Sequence, residues 1–244
     1  VSSILSRLGF EVKVVRGDFI VGIPSWRATK DVTIPADIVE EIARIYGFCK
    51  IPSTLPKFPI VSARLESINV LMHWTRQVLA LRFAATEIYS YAFASPVTLE
   101  TLGLSIDDHL ELANPLSRER PYLQRSLVPN LLEAARKNQP NEKVLALFEI
   151  SRVFLEEEQQ PYNLALVYSV KGDDVPFFGA KTMVVGLLKS LGFDCECITA
   201  KRIEPWSHPA RRAQIVVGGR AIGTVAEIAP RIGIAFGFDR RVAV

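Results

Sequence analysis

The alternation of hydrophobic and polar residues predicts a helix, a hairpin and a second helix within the first fifty residues. Residues 2–8 carry a short helical pattern that stops at Gly9, a residue type common just past the end of a helix. Residues 11–15 and 19–23 alternate as strands on either side of an Arg-Gly-Asp turn. A longer helix is predicted to begin at Pro35, because the fixed φ of proline suits the first helical position.

The rest of the chain mixes helical and strand-like patterns without regular βαβ order. Residues 64–82 predict a long amphipathic helix, and residues 87–93 alternate like a strand that is covered on both faces. Further predicted elements are a strand beginning at 110–112, a helix from about 126 to 138, strands at 144–154 and 163–170, a helix over 177–191, and strands at 213–217 and 221–228. This order is typical of an α+β fold with a mainly antiparallel sheet.

A proline-rich segment separates these two regions. Pro52, Pro56 and Pro59 lie within eight residues and predict a stiff connector. The chain is therefore expected to contain a small domain over residues 1–58 and a larger one over residues 60–244.

Composition limits the classes of function. The chain of 244 residues is 49% hydrophobic and 23% charged, which argues against disorder, and its net charge of +3 is small for a dedicated nucleic-acid binder. No apolar run approaches the ~20 residues that span a bilayer, and the first residues lack the features of a signal peptide. Three cysteines, an odd number, are most simply reduced thiols of a cytoplasmic protein.

Carboxylates cluster around the helix that begins at Pro35. Asp37, Glu40 and Glu41 are spaced so that they share one helix face, and Asp31 lies just upstream. Four oxygen ligands suit a hard cation such as Mg²⁺. A solvated acidic face, paired with Arg44 and favoured by the helix dipole, explains the same pattern without a metal. Residue chemistry alone leaves both readings open and favours the solvated face.

Several segments, in order along almost the whole chain, resemble the β subunit of bacterial phenylalanyl-tRNA synthetase. In the first region they are I-L-S-R-L-G-F-E-V at 4–12, I-V-G-I-P-S-W-R at 20–27, D-I-V-E-E-I-A-R-I-Y-G-F at 37–48 and I-P-S-T-L-P at 51–56. In the second they are N-P-L-S-R-E-R-P-Y-L-Q-R-S-L-V-P-N-L-L-E at 114–133, L-F-E-I-S-R-V-F at 147–154, H-P-A-R-R-A at 208–213 and I-G-T-V-A-E-I-A-P at 222–230.

The resemblance implies a class II aminoacyl-tRNA synthetase-like antiparallel sheet flanked by helices and preceded by a small α/β domain. It implies a non-catalytic subunit that pairs with a catalytic α subunit in an α2β2 assembly, which charges tRNA(Phe) with ATP. It also implies that Mg²⁺ is bound near the α-subunit contact by Asp31, Asp37, Glu40 and Glu41. Editing and anticodon recognition are expected to belong to parts of the family's subunit beyond these residues.

Two other functions compete with this one. A self-sufficient class II-like ligase would use Glu149, Arg152 and Arg240, although the glycine pattern at 233–240 carries Ala235 where a glycine is wanted, and a turn into a final strand fits the segment better. A free-standing tRNA-binding module would need clustered basic residues, whereas the arginines are spread along the chain. The loop with His208, Arg211 and Arg212 could touch phosphate or an acidic surface, but a solvated loop is the simpler expectation.

Two aromatic segments are candidates for a partner contact. The first contains Tyr89, Tyr91 and Phe93, and the second is the 64–82 helix with Trp74. Tyrosine and tryptophan are enriched at interfaces, yet both segments could equally belong to the core.

Overall fold

The computed structural model describes residues 1–156, 158–172, 175–200 and 203–244. The chain divides into two compact units, residues 1–63 and residues 64–244. Among the described residues, no helix is both long enough and apolar enough to cross a membrane.

The first unit contains a helical pair and a hairpin around one small core. Its elements are α1 (Ser2–Arg7), β1 (Glu11–Val15), β2 (Asp18–Gly22) and α2 (Pro35–Tyr46), followed by a 3-10 turn at Phe48–Lys50. Arg16 and Gly17 form the two-residue hairpin loop and both have positive φ, as primed turns require. The core consists of Leu5, Phe10 and Val32, against which Ile38 and Ile42 of α2 pack. The apolar side of α2 thereby anchors the helix that carries the acidic residues.

The second unit contains the remaining helices and strands. In chain order they are α3 (Ser67–Phe83), β3 (Thr86–Glu87), β4 (Phe93–Ala94), α4 (Pro96–Thr101), β5 (Tyr122–Leu123), α5 (Val128–Asn138), a 3-10 turn at Gln139–Asn141, β6 (Val144–Arg152), β7 (Tyr162–Val170), α6 (Pro176–Ser190), β8 (Cys195–Thr199), β9 (Ser207–Val217), β10 (Arg220–Ile228) and α7 (Pro230–Phe236). The unit is therefore a mixed α+β structure, as its pattern predicted.

Two three-stranded sheets meet through the last residues of the chain. One has the order β3-β6-β7 and the other β10-β9-β8, and every pairing except that of β3 with β6 is antiparallel. Ala243 pairs with Tyr168 of β7 on one side and with Glu227 of β10 on the other. Residues 242–244 thus join the two sheets into a continuous hydrogen-bonded surface.

Side chains of β6 alternate between two apolar cores. Phe148 and Ile150 face a cluster that includes Leu79 of α3 and Met183 of α6. Leu145 and Leu147 point to the opposite face, where they pack with residues of α5 and α7. Because successive side chains of a strand point to opposite faces, this central strand is covered on both sides by helices.

Three details of the predicted pattern are wrong. Residues 88–92 form no regular strand, because β3 ends at Glu87 and β4 begins at Phe93. The predicted strand at 110–112 consists of one isolated bridge, Glu111 to Tyr122. In the segment 233–240, residues 233–236 are the end of α7, since a proline at position 230 starts a helix there, and only the remainder turns towards the bridged residue Ala243. At residues 88–92, buried side chains supply part of the hydrogen bonding that a neighbouring strand would otherwise provide.

Candidate functional site

Asp37 serves the beginning of α2. Its Oδ2 accepts hydrogen bonds from the backbone amides of Thr33, at 2.7 Å, and Ile34, at 2.9 Å. These bonds, led by that of Ile34, lower the pKa of the Asp37 carboxyl from its ordinary value. The carboxylate thus satisfies amides that the first turn of a helix leaves without partners.

Arg27 joins two other members of the acidic quartet, which comprises Asp31, Asp37, Glu40 and Glu41. Its Nε donates to Asp31 Oδ2 at 2.6 Å and its Nη2 to Glu41 Oε1 at 2.9 Å. Arg44 donates to the second oxygen of Glu41 at 2.6 Å. Hydrogen bonds from Arg27 and then Arg44 lower the pKa of Glu41 from 4.5 to about 2. The pKa of Arg27 is raised by the same bonds, first that to Glu41 and then that to Asp31.

Glu40 is exposed and its side chain makes no ion pair with the described residues. Within the part of the chain that the structure describes, no group of three or more His, Cys, Asp or Glu side chains is placed to hold a metal ion. Oδ2 of Asp37 and both carboxylate oxygens of Glu41 already accept hydrogen bonds, and Arg27 puts a cation between Asp31 and Glu41. In this arrangement the quartet does not fit an ion, and its metal role stays a prediction.

A buried polar cluster lies beneath residues 90–93 of the second unit. Glu149 is 1% exposed, and both of its oxygens accept hydrogen bonds from the Ser90 hydroxyl, at 2.9 and 2.8 Å. The side chain of Asn130, also buried, donates to the Tyr91 carbonyl and to Gln124 Oε1. The structure therefore assigns Glu149 to the support of a backbone segment.

The other two candidates for a ligase site are engaged elsewhere. The Arg152 guanidinium lies over the Tyr162 ring, 5.0 Å from its centroid. Arg240 donates to the backbone carbonyls of Gln139, at 2.5 Å, and Glu142, at 2.7 Å. None of the hydrogen bonds or ion pairs of the described residues joins Glu149, Arg152 and Arg240 to one another.

His208, Arg211 and Arg212 lie in β9 and not in the expected solvated loop, and His208 and Arg211 have local and buried partners. His208 Nδ1 accepts from the backbone amides of Ala210, at 3.1 Å, and Arg211, at 3.2 Å. Arg211 and Arg241 both donate to Oε1 of the fully buried Glu227, at 2.7 and 3.0 Å. Oε2 of Glu227 is buried and has no hydrogen-bond partner among the described residues. Arg211 is therefore committed to an internal ion pair.

Sequence reasoning missed Arg27, Gln124, Asn130 and Glu227, which organise these clusters. Arg27 carried a usable signal, since it precedes Asp31 by four residues. The other three act through partners that are distant in sequence or lie on another strand, and no local pattern marks them.

Two family models together match nearly the whole chain. The model described as "Phenylalanyl tRNA synthetase beta chain CLM domain" matches residues 51–244. The model described as "tRNA synthetase B5 domain" matches residues 1–48.

Curated relatives give the same picture over a longer protein. The phenylalanine–tRNA ligase beta subunit of Lactiplantibacillus plantarum is 33% identical over 97% of this chain and 31% of its own length. The beta subunit of Geobacter metallireducens is 30% identical over 99% of this chain and 32% of its own length. The chain thus spans about a third of the length of the curated relatives it matches.

A solved structure shows a similar fold at low sequence identity. The pyrrolysyl-tRNA synthetase PylSc of Desulfitobacterium hafniense superimposes with a TM-score of 0.58 and 13% identity, over 72% of this chain and 64% of that one. At this identity the similarity concerns the fold alone.

Proposed function

Because the chain belongs to the phenylalanyl-tRNA synthetase beta chain family, we propose that it forms the non-catalytic core and subunit-contact region of a phenylalanine–tRNA ligase β subunit. It supports the ATP-dependent charging of tRNA(Phe) by a catalytic α subunit in a cytoplasmic α2β2 assembly. The observation that carries this proposal is the match of two consecutive family models, which leaves only two residues between them.

The proposal extends to the domains and the fold. Residues 1–58 act as a small domain, and residues 60–244 act as a core of class II synthetase type with an antiparallel sheet flanked by helices. The joined sheets between α3, α6, α5 and α7 support this assignment, as does the similarity to PylSc. The separate engagement of Glu149, Arg152 and Arg240 favours a core without its own ligase chemistry.

The apolar outer side of α3 supports a contact with another subunit. Trp74 is 55% exposed, and with Leu71 and Phe193 it lines a surface recess of about 680 Å³. A monomer gains nothing from exposing such a patch, whereas tryptophan is enriched at the centre of interfaces. Trp74 thus supports the contact interpretation and not the core one.

Size-exclusion chromatography with light scattering tests the proposed function. The chain is mixed with the catalytic α subunit from the same organism, and co-elution at a defined mass is expected. Trp74→Ala should weaken the complex, while Phe178→Ala, which removes another exposed aromatic side chain on α6, should leave it intact. Separate elution of the wild-type chain and the α subunit at all concentrations would count against the subunit-contact role.

Magnesium binding by Asp31, Asp37, Glu40 and Glu41 is a second part of the proposal. The exposed Glu40 and the half-exposed Asp31 supply oxygen ligands, but Arg27 must first withdraw from Asp31 and Glu41. Removal of Arg27 should therefore increase Mg²⁺ affinity, because the cation and the guanidinium compete for the same carboxylates. Isothermal titration of MgCl2 into the wild type, Arg27→Ala and Arg27→Ala/Glu40→Gln would measure this. If neither the wild type nor Arg27→Ala binds Mg²⁺, the quartet is not a metal site and its carboxylates serve ion pairing only.

A further inference from the structure

Two tyrosines stand out from the irregular segment between β3 and β4. Tyr89 is 78% exposed and Tyr91 is 82% exposed. They are two residues apart, and both line the same surface recess. We call these two residues the tyrosine platform.

The backbone under the platform is held by two buried side chains and one backbone amide. Oε1 of Glu149 accepts a hydrogen bond from the Ser90 backbone amide at 3.1 Å, and the Asn130 side-chain amide donates one to the Tyr91 carbonyl at 2.9 Å. The backbone amide of Gln124, which is also buried, donates to the Ala92 carbonyl at 2.8 Å. Burying a carboxylate and two amides is costly unless each finds partners. Their partners here include the segment that carries the tyrosines, so the platform is preorganised.

The rings themselves have fixed neighbours. Tyr91 stacks on Phe93 with a centroid distance of 6.4 Å and an interplanar angle of 15°. Arg76 donates to Glu87 at 2.7 Å, and the pKa of Arg76 is raised chiefly by that carboxylate and to a smaller degree by Tyr89. The Tyr91 ring thus stacks on Phe93, and Tyr89 interacts with the cation of Arg76. Most of both tyrosine side chains is nevertheless exposed to solvent.

Cations border the same surface. A recess of about 390 Å³ is lined by both tyrosines together with Arg120 and Lys137, and a neighbouring recess of about 430 Å³ adds Arg136. Arg120 is paired with Glu133. Lys137 and Arg136 form no ion pair with any described residue. The platform therefore lies beside uncompensated positive charge.

We infer that the tyrosine platform, with Lys137 and Arg136, binds single-stranded RNA. Unpaired bases would stack on Tyr89 and Tyr91, and the phosphates between them would contact the two cations. Rigid, exposed aromatic rings next to basic side chains are the elements that single-strand binding sites combine. This inference rests on the proposed function, since it assigns a part of the chain to the unpaired region of the RNA that the assembly handles.

A protein partner is the competing occupant of this surface. Tyrosine and arginine also serve protein interfaces, but lysine is depleted there. Here the cations line the same recess as the rings. A nucleotide offers a base to stack on the rings and a phosphate to neutralise the cations. The observations therefore favour RNA, and a protein contact becomes an outcome of the test.

Fluorescence anisotropy tests the inference with the whole chain and a labelled, unstructured 12-nucleotide RNA. Tyr89→Ala and Tyr91→Ala should each weaken binding about tenfold, whereas Tyr→Phe at either position should keep most of the affinity because the ring remains. Lys137→Ala should reduce the slope of log affinity against log salt by about one. A duplex of the same sequence should compete poorly, because its bases are already stacked.

Phe178→Ala is the matched control, since it removes an exposed aromatic side chain outside the platform and should leave both RNA affinity and the α complex unchanged. Co-elution with the α subunit is measured on the same variants. Loss of RNA binding with the α complex intact supports the inference. Wild-type RNA binding that is absent, or insensitive to both tyrosines, overturns it without touching the proposed function. Loss of the α complex with unchanged RNA binding also overturns it and assigns the platform to a protein contact.

Discussion

Arg27 and Glu41 are joined by a hydrogen-bonded ion pair of 2.9 Å across a sequence separation of fourteen residues. The pair fixes the segment that follows the hairpin to the second turn of α2. Only 11% of the Glu41 side chain is exposed, so its charge depends on this partner and on Arg44. A residue first considered as a metal ligand thus stabilises the small unit through its ionised form.

The first prediction concerns acid stability. The pKa of folded Glu41 is lowered from 4.5 to about 2, so its ionised form stabilises the fold fully above pH 4.5. That contribution is lost as the pH falls from 4.5 towards 2, because the unfolded chain takes up the proton first. The difference in unfolding free energy between the wild type and Glu41→Gln should therefore shrink across this range.

Hydrogen exchange of the α2 amides, measured from pH 2 to pH 6, reports this difference locally. Glu40→Gln is the control, because Glu40 lies on the same helix but is exposed and has no ion pair with the described residues. A difference for Glu41→Gln that stays constant over the whole range would contradict the prediction.

The second prediction concerns Glu149 and Ser90. Glu149→Ala should lower the unfolding free energy by about 2–3 kcal/mol, since hydrogen bonds to a buried charged group are lost. Ser90→Ala should also be costly, because it leaves the carboxylate without its hydroxyl donor. The double variant should cost less than the sum of the two, as expected for residues in direct contact. Urea denaturation measures all three, with Glu100→Ala on the surface of α4 as a near-neutral control.

Local signals were sufficient for much of the fold. The start of α2 at Pro35, the end of α6 before Gly192 and the hairpin around Gly17 were predicted within one or two residues. Each depends on the backbone preference of a single residue, which the sequence displays directly. The α+β class followed from the order of these elements.

Long-range partners explain what was not predicted. The Ser90–Glu149 contact spans 59 residues, and the hydrogen bond from Gln139 to the Gly237 carbonyl spans 98. Alternation over residues 87–93 predicts a strand, but in the structure side chains of distant residues supply part of the hydrogen bonding that a neighbouring strand would supply. The ion pairs of Arg27 with Asp31 and Glu41 were likewise not predicted, because the pattern of charges on one helix does not reveal a cation contributed by the preceding loop.

The third prediction concerns helix packing against the sheet. A Cβ at Gly179 of α6 would lie 2.2 Å from Tyr168 Cε1, whereas a Cβ at Gly233 of α7 has no neighbour within 4 Å. Alanine normally stabilises a helix by about 0.5–1 kcal/mol relative to glycine, but overpacking costs about 1–3 kcal/mol. Gly179→Ala should therefore lower stability by about 1–2 kcal/mol in urea denaturation, and Gly233→Ala should leave it unchanged or raise it. Equal effects of the two substitutions would contradict the packing argument.

The fourth prediction concerns the two arginines that share Glu227. Glu227 is 0% exposed, and Arg211 and Arg241 both donate to its Oε1. Either single alanine variant leaves one guanidinium in place, so each should cost about 1 kcal/mol. The double variant leaves a buried carboxylate without a cation and should cost about 3 kcal/mol or more, clearly above the sum.

Combining both arginine substitutions with Glu227→Gln should restore much of the stability lost in the double variant, because the buried charge is then removed. Urea denaturation of the wild type and these four variants measures this coupling directly. If the losses of unfolding free energy of the two single arginine variants simply add in the double variant, the charge of Glu227 does not need either arginine for compensation. Restoration by glutamine would show that the arginines serve chiefly to compensate the carboxylate that lies where β10 meets the last residues of the chain.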